Sequence, residues 1–299
     1  DPLSSALDVH LIKMLRVWWL SGQLAAFIPI EEMLDVRGLK QRLNQLHQLP
    51  PRFRQRVLFY GENLADAAML TFPMDLTLVL LPFEDVPQTQ VDELAVAARR
   101  GSATQVESML HLPQDPDLPH SDGRTPLRMA TIEGHVEVVR LLLEAGADKN
   151  ATGNHGSTAL MTASQRGHVE VVRLLLEAGA DKNATNNNGS TALKTASQGG
   201  HVDVVRLLLE AGADKDAADK RGFTALMAAC FENENVEVVR LLLEAGADKN
   251  VADKDGVTAW MAASLAGHGE VERELQKAGA SRNGRLRTFG PKFEGKRNE

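Results

Sequence analysis

Leu141-Leu142-Leu143-Glu144-Ala145-Gly146-Ala147-Asp148-Lys149 decides the fold, because the same nine letters return at Leu174, Leu207 and Leu241. The spacing is 33, 33 and then 34 residues, and self-similarity at such a period marks stacked supersecondary units. A degenerate fifth copy ends at Gly279. Each unit opens with a turn and a Gly-x-Thr phrase, passes a pair such as Gly134-His135 or Gly167-His168, and closes on the leucine run. That order reads as turn, helix, turn, helix.

Thr158 is suited to cap a short first helix through Leu160, Ala163 and Ser164, which stops at Gly167. A second helix follows. In the copy from Val136 to Gly146, Glu137, Arg140 and Glu144 share one narrow face and everything else is apolar. No single unit can bury so wide an apolar arc, so the units must stack into a solenoid. Gly146, Gly179, Gly212 and Gly246 fall where a left-handed residue ends the second helix, and alanine there would cost about 1 kcal/mol. The last copy carries Glu272, Glu274 and Gln276 where earlier ones are apolar and keeps Val271 and Leu275, as a wet closing cap would. Two short helices between Asp92 and Leu110, broken at Gly101, read as the opening cap.

Residues 91–280 resemble an ankyrin repeat domain, on Gly123-Arg124-Thr125-Pro126-Leu127, Gly134-His135, Val138-Val139, Leu141-Leu142-Leu143 and Gly146-Ala147-Asp148. The resemblance implies an α solenoid of helix-turn-helix units with β-turn fingers: an opening cap at 91–120, repeats at 121–150, 151–183, 184–216 and 217–250, and a closing repeat at 251–280. Two departures stand out. The family's usual proline is Ala159, Ala192, Ala225 and Ala259, and its usual first-helix histidine is Arg128, Met161, Lys194, Met227 and Met261. The threonine-to-histidine hydrogen bond of the family cannot form here.

Residues 1–90 hold no copy of the unit. Asp8 to Leu15 alternates like a strand with Leu24 to Ile30 as its hairpin partner, and Val36, Leu39, Leu43 and Leu46 fall at helical spacing. Pro50-Pro51 ends that helix, and strands follow at Arg56 to Tyr60 and Leu76 to Leu81. Arg16, Val17, Trp18 and Trp19 read as an insertion that lengthens the first hairpin loop. This order resembles the ubiquitin-like fold, a small α+β (β-grasp) domain over 1–82, on Leu49-Pro50-Pro51 through Arg56-Val57-Leu58-Phe59, then Gly61, Leu64, Asp66 and Leu76-Thr77-Leu78-Val79-Leu80. The resemblance implies a receptor-binding sheet patch at Leu58, Thr77 and Val79. Pro82-Phe83-Glu84 stands where a conjugation tail would have its di-glycine, so attachment to other proteins is not expected. Residues 83–90 read as a linker that leaves the two modules independent.

Composition narrows the function. The net charge of −7 is uneven, with 8 basic and 10 acidic residues in 1–90, 19 and 28 in 91–280, and 6 and 2 in 281–299. An acidic body repels a phosphate backbone, so no nucleic-acid partner is expected. The tail 281–299, with Arg282, Arg285, Arg287, Lys292, Lys296 and Arg297, reads as a basic flexible end. No apolar run reaches the roughly 20 residues of a membrane span. The one cysteine, Cys230, forms no internal disulfide, so a reducing compartment is expected, cytoplasmic or nuclear, for a monomeric chain.

Chemistry has little to rest on. His135, His168, His201 and His268 recur at the repeat period, and one per unit they would stand about 10 Å apart, against metal coordination near 2 Å. Turn histidines are the better reading, and Cys230 in its helix phrase reads as a buried inert thiol. No phosphate loop, nucleophile elbow or paired-carboxylate signature occurs. No metal, no cofactor and no catalytic residue is expected.

Binding rests on positions that vary while the frame stays fixed. The fingers vary at Asn154, His155, Asn187, Asn188, Lys220, Arg221, Lys254 and Asp255. The inner-helix slot varies as Arg128, Met161, Lys194, Met227 and Met261, followed by Thr131, Ser164, Ser197, Cys230 and Ser264. Three methionines in register with two cations would make an adaptable contact stripe for a protein client. A non-enzymatic adaptor is the expectation, with a ubiquitin-like head that engages ubiquitin or proteasome receptors. Two alternatives stay open: a targeting fragment of a larger ligase or kinase, and a structural spacer without a specific partner.

Overall fold

Thirteen α-helices and one five-stranded sheet are built from the residues that the computed structural model describes, 14–29, 35–47, 49–112, 114–232 and 235–280. Contacts divide the chain into two units, residues 1–127 with 140–147 and residues 128–139 with 148–299. The expected basic tail, 281–299, lies outside the described residues, as do Asp8 to Lys13 of the expected first strand.

The first unit begins with β1 (Met14–Trp19) and β2 (Leu24–Pro29), followed by α1 (Val36–His47), β3 (Gln55–Phe59), β4 (Glu62–Asn63) and β5 (Asp75–Leu80). Alternation sets β1: Leu15 and Val17 are fully buried, while Arg16 between them is exposed. The expected insertion at Arg16 to Trp19 is therefore corrected. These residues are strand, paired with β2 on one side and β5 on the other, and the reversal comes later, at Gly22 with φ of 83°. The hairpin loop is short because the strand runs on through both tryptophans, Trp19 packing on the core after Leu15 and Val17 while Trp18 lies on the other face. Sheet order is β2-β1-β5-β3-β4, with β1 and β5 parallel and the remaining pairs antiparallel. Leu39 and Leu43 of α1 pack on Leu15, Val17, Val57, Leu76 and Leu78 of the sheet.

Past β5, α2 (Gln88–Arg100) and α3 (Ala103–Leu110) form the opening helical pair, and α2 ends on Gly101 in the left-handed region at φ of 74°. Because α2 starts at Gln88, the last residues of the expected linker are helical. The expected independence of the sheet module is corrected as well. Arg52, 2% exposed, binds Asp66 of its own module, Glu107 of α3 at 3.3 Å, and Glu144 at 2.7 Å. Glu144 closes α5 (Val136–Glu144), and Lys40 and Arg37 complete the network on Asp66 at 2.7 Å and Glu107 at 2.8 Å. Three cations meet three carboxylates, so the charges taken out of water are balanced by contact. Burial works against the Asp66 carboxylate, but hydrogen bonds and charge from Lys40 and then Arg52 outweigh it and hold its pKa below the ordinary 3.8.

In the second unit each repeat contributes a helix pair: α6 (Ala159–Arg166) with α7 (Val169–Glu177), α8 (Ala192–Gly199) with α9 (Val202–Glu210), α10 (Ala225–Glu232) with α11 (Val236–Glu244), and α12 (Ala259–Ala266) with α13 (Gly269–Lys277). α4 runs from Pro126 to Glu133. Thr158, Thr191, Thr224 and Thr258 cap the first helices, each hydroxyl accepting from the backbone N–H three residues on at 3.3–3.4 Å. Val171, Val172 and Leu175, with their equivalents Val204, Val205 and Leu208, are buried between neighbouring repeats. In α13 only Val271 and Leu275 are buried, as the closing-cap reading expects.

Two outcomes test this architecture. Leu175→Ala should cost about 2–5 kcal/mol and broaden or split urea unfolding, since a weakened central repeat uncouples its neighbours; an unchanged sharp transition would count against stacking. Asp66→Asn should cost about 3–5 kcal/mol, chiefly by taking the carboxylate from the buried Lys40 ammonium. Since the Asp66 pKa is lowered on folding, its stabilisation is complete above its ordinary value of 3.8 and is lost as pH falls through the lower folded value. Chemical denaturation of the parent should show that acid-side loss, and the variant should show less of it.

Candidate protein-binding cleft

Fingers in the second unit are held by one device repeated. Asn186 Oδ1 accepts the N–H groups of Asn188 and Ser190, Asp219 Oδ1 those of Arg221 and Phe223, and Asp253 Oδ1 those of Asp255 and Val257, all at 2.8–3.0 Å. Neighbouring fingers are joined through the backbone, with N–H groups of Asn187, Lys220 and Lys254 donating to the carbonyls of His155, Asn188 and Arg221 at 2.9 Å. The finger at Gly153 has no side chain to accept, and it folds differently, as a single tight turn with His155 at φ of 66°.

The reason Gly153 stands there lies in the inner-helix slot. A Cβ on Gly153 would sit 0.9 Å from Arg128 Nη1, so the guanidinium occupies the space of the missing side chain. Lys194 has the same relation to the finger of the next repeat and forms an ion pair with Asp219, 25 residues on. Desolvation opposes the Asp219 carboxylate, but the Lys194 hydrogen bond followed by those from Phe223 and Arg221 lowers its pKa. The slot therefore lies beneath the finger that follows it. Met161, Lys194, Met227 and Met261 are 3%, 8%, 1% and 5% exposed. The expected contact stripe is corrected at its methionines, Met161, Met227 and Met261, which are buried within the stack; Lys194 still lines a cleft, and Arg128 is half-buried against the Gly153 finger.

A cleft of about 540 Å³ lies open over the last three repeats, 184–216, 217–250 and 251–280. Phe223, Phe231, Val257 and Leu265 give its apolar wall, and Lys194, Arg221 and Glu232 are among its polar groups. Phe223 and Phe231 meet edge to face at 6.4 Å, and the Lys194 ammonium lies 5.4 Å from the Phe223 ring centre. Leu265 is 56% exposed. Ser157 and Ser190 become Phe223 and Val257, Thr162 and Thr195 become Ala228 and Ala262, and Gln165 and Gln198 become Phe231 and Leu265. Three register positions switch from polar to apolar together, and all six new residues line the one cleft.

The family profile described as Ankyrin repeats (3 copies) matches residues 94–186, 156–219, 179–253 and 217–286. The chain belongs to the ankyrin repeat family. A crystal structure of an ankyrin repeat domain from Acinetobacter baumannii AYE is 35% identical, with a TM-score of 0.59, and the match covers 63% of this chain and 98% of that one. No curated protein matches the chain. Ankyrin repeats are protein-interaction modules, and the cleft is where this stack combines concavity with apolar surface.

Of the finger residues expected to bind, His155, Asn187, Asn188, Lys220, Arg221, Lys254 and Asp255 are exposed along the ankyrin stack, while the side chain of Asn154 lies outside the described residues. Only Arg221 among them lines the cleft, 3.7 Å from Asp255. Phe223, Phe231 and Leu265 were not among the expected residues. Their signal was in the sequence as the column switch, and a comparison limited to one inner-helix slot passes over it.

The sheet patch does come together. Leu58 lies opposite Thr77, and Thr77 lies opposite Trp18 on the other side, so three neighbouring strands form one outward row. Val79 is beside it, opposite Arg56, and all of Leu58, Thr77 and Val79 are half-buried. Trp18 is the addition, its indole N–H donating to Asp75 Oδ1 at 2.9 Å.

The repeating histidines are spent on the frame of the stack. His168 and His201 donate through Nε2 to the carbonyls of Ile132 and Gln165 in the preceding repeat, at 3.2 and 3.0 Å, and His268 through Nδ1 to that of Cys230 at 2.9 Å. Where the spacing lengthens by one residue, Asn235 substitutes, donating to the Gly200 carbonyl at 3.0 Å. Cys230 is fully buried, and desolvation pushes its thiol pKa up to about 12. Among the described residues, no helix is long and apolar enough to cross a membrane.

Proposed function

We propose that the chain is a non-catalytic adaptor whose ankyrin cleft grips a client protein through an apolar side chain seated between Phe223, Phe231 and Leu265. One observation carries this reading: three positions that are polar in repeats 151–183 and 184–216 are all apolar in the two repeats that follow, and those positions converge on one cleft. Drift would scatter its changes over the exposed outer face as readily. The fingers at Lys220, Arg221, Lys254 and Asp255 supply polar contacts beside the anchor.

The same proposal reads the sheet module as ubiquitin-like and its row Trp18, Thr77 and Leu58, with Val79, as a docking face for a receptor of the ubiquitin or proteasome system. Strand order β2-β1-β5-β3-β4 with a parallel central pair, crossed by α1, supports it. A lone, buried cysteine supports a reducing compartment, cytoplasmic or nuclear.

Full-length chain, immobilised and exposed to lysate, tests the cleft. Phe223→Ser with Phe231→Gln, which restores the letters of the preceding repeats, should cost more than about 1 kcal/mol per anchor in client affinity while leaving thermal unfolding nearly unchanged. Charge removal at Glu170 and Arg173 on the outer face should be silent, and the reverse pattern would overturn the cleft assignment. For the sheet face, calorimetry against a panel of ubiquitin-system receptors should find a binder that Leu58→Ala and Val79→Ala weaken, without loss of client capture; no binder in the panel would remove that half of the proposal.

A further inference from the structure

Within the first unit, the sheet module docks on the far ends of two helices, and the letters at that surface are not all special to it. Glu144 accepts from Arg52 Nε at 2.7 Å, and a Cβ on Gly146 would fall 2.6 Å from Pro51 Cγ, so the module sits directly on the Glu144-Ala145-Gly146 corner. The same three letters recur as Glu177-Ala178-Gly179, Glu210-Ala211-Gly212 and Glu244-Ala245-Gly246. Shape and one carboxylate are thus offered four times along the chain. Something else must distinguish the first corner.

Glu107 makes that distinction. It accepts from Arg37 Nη2 at 2.8 Å and from Arg52 Nη2 at 3.3 Å, and it comes from the opening helical pair rather than from a full repeat. Counting by the repeat period from Glu107 gives Arg140, Arg173, Arg206 and Arg240. At the opening step two carboxylates therefore face the guanidinium groups of Arg37 and Arg52, whereas the equivalent positions are one arginine and one glutamate at the three later Glu-Ala-Gly corners, and Arg240 with Lys277 at the last step. An arginine there would oppose Arg52, a side chain only 2% exposed, and like charges brought together out of water repel strongly.

We propose that Glu107 is the register-selecting residue of an intramolecular docking surface, whose partner is the Arg37 and Arg52 face of the same chain. The repeats use one sequence at the corner for packing, and the single acidic residue in an otherwise basic column assigns the sheet module to the first step.

Cross-linking in the full-length chain tests this. Pro51→Cys with Ala145→Cys puts thiols on the two sides of the docking surface, and the native Cys230 is buried, so mild oxidation reads docking as the yield of the 51 to 145 disulfide. Glu107→Arg, which gives the opening step the letter of the later ones, should lower that yield at least tenfold, and Glu107→Gln should lower it less. Adding Arg37→Glu to Glu107→Arg should recover part of the yield by reversing the pair. Hydrogen exchange of helices α6 to α12 should match the parent throughout; if Glu107→Arg loosens those helices, the Glu107→Gln result decides alone. Yield at the parental level in Glu107→Gln and Glu107→Arg, or no recovery on reversing the pair, would overturn the assignment.

Discussion

A nine-residue helix of the type Val-Glu-Val-Val-Arg-Leu-Leu-Leu-Glu has too much apolar arc for one neighbour to cover, and most of this structure follows from that. Burial on both sides forces each repeat to need the next, and the frame that brings them together is assembled from backbone groups that would otherwise be left without partners. Asp181, Asp214 and Asp248 donate their N–H groups to Asn150, Asn183 and Asp216 of the repeat before, at 2.8–2.9 Å, while histidines close the opposite turn on a preceding carbonyl. Letters that look redundant in the sequence, the Asn after Asp-Lys and the His after Gly, are the two ends of these bridges.

The same constraint explains why the first step differs. A stack must have an end, and an end exposes the corner that every other repeat also carries. Here the corner at Glu144 to Gly146 is covered by Pro51 and Arg52 of the sheet module rather than left to water. A boundary expected at residues 83–90 on composition accordingly falls elsewhere by contacts, inside the first full repeat, with residues 140–147 grouped with the sheet module. Prolines in a connecting stretch report on local backbone, and they carry no information about a buried arginine 30 residues earlier.

Periodic features were legible because they repeat: helix pairs, threonine caps, left-handed glycines and a polar closing helix all follow from letters seen several times. Single occurrences were harder. Arg16 to Trp19 read as an insertion because the first hairpin was measured against the ubiquitin-like pattern, yet alternation of Leu15 and Val17 with Arg16 already described a strand. The methionine slot failed for a different reason. A helical wheel shows that Met161 and Met227 face the finger side, but it cannot show that the finger of the following repeat folds over them, since that depends on Asn186 and Asp253, 25 and 26 positions away. The pairing of Lys194 with Asp219, and of Arg128 with a glycine, encodes the cover in two distant letters that vary together within one chain.

Near-identity among the repeats is also what makes function readable. Where the frame changes freely, a substitution says little. In this chain Gly-Ser-Thr-Ala-Leu at 156–160 and 189–193 is followed by Gly-Phe-Thr-Ala-Leu at 222–226, and a half-buried aromatic side chain has replaced a hydroxyl without any change in the capping threonine beside it. A half-exposed phenylalanine gives up hydration that serine keeps, so the fold gains little from the exchange unless the ring is covered. Phe231 covers one edge of Phe223 and leaves the cleft side of both rings to water. Phe223, Phe231 and Leu265 therefore leave, at the cleft, apolar surface that the stack's own packing does not consume.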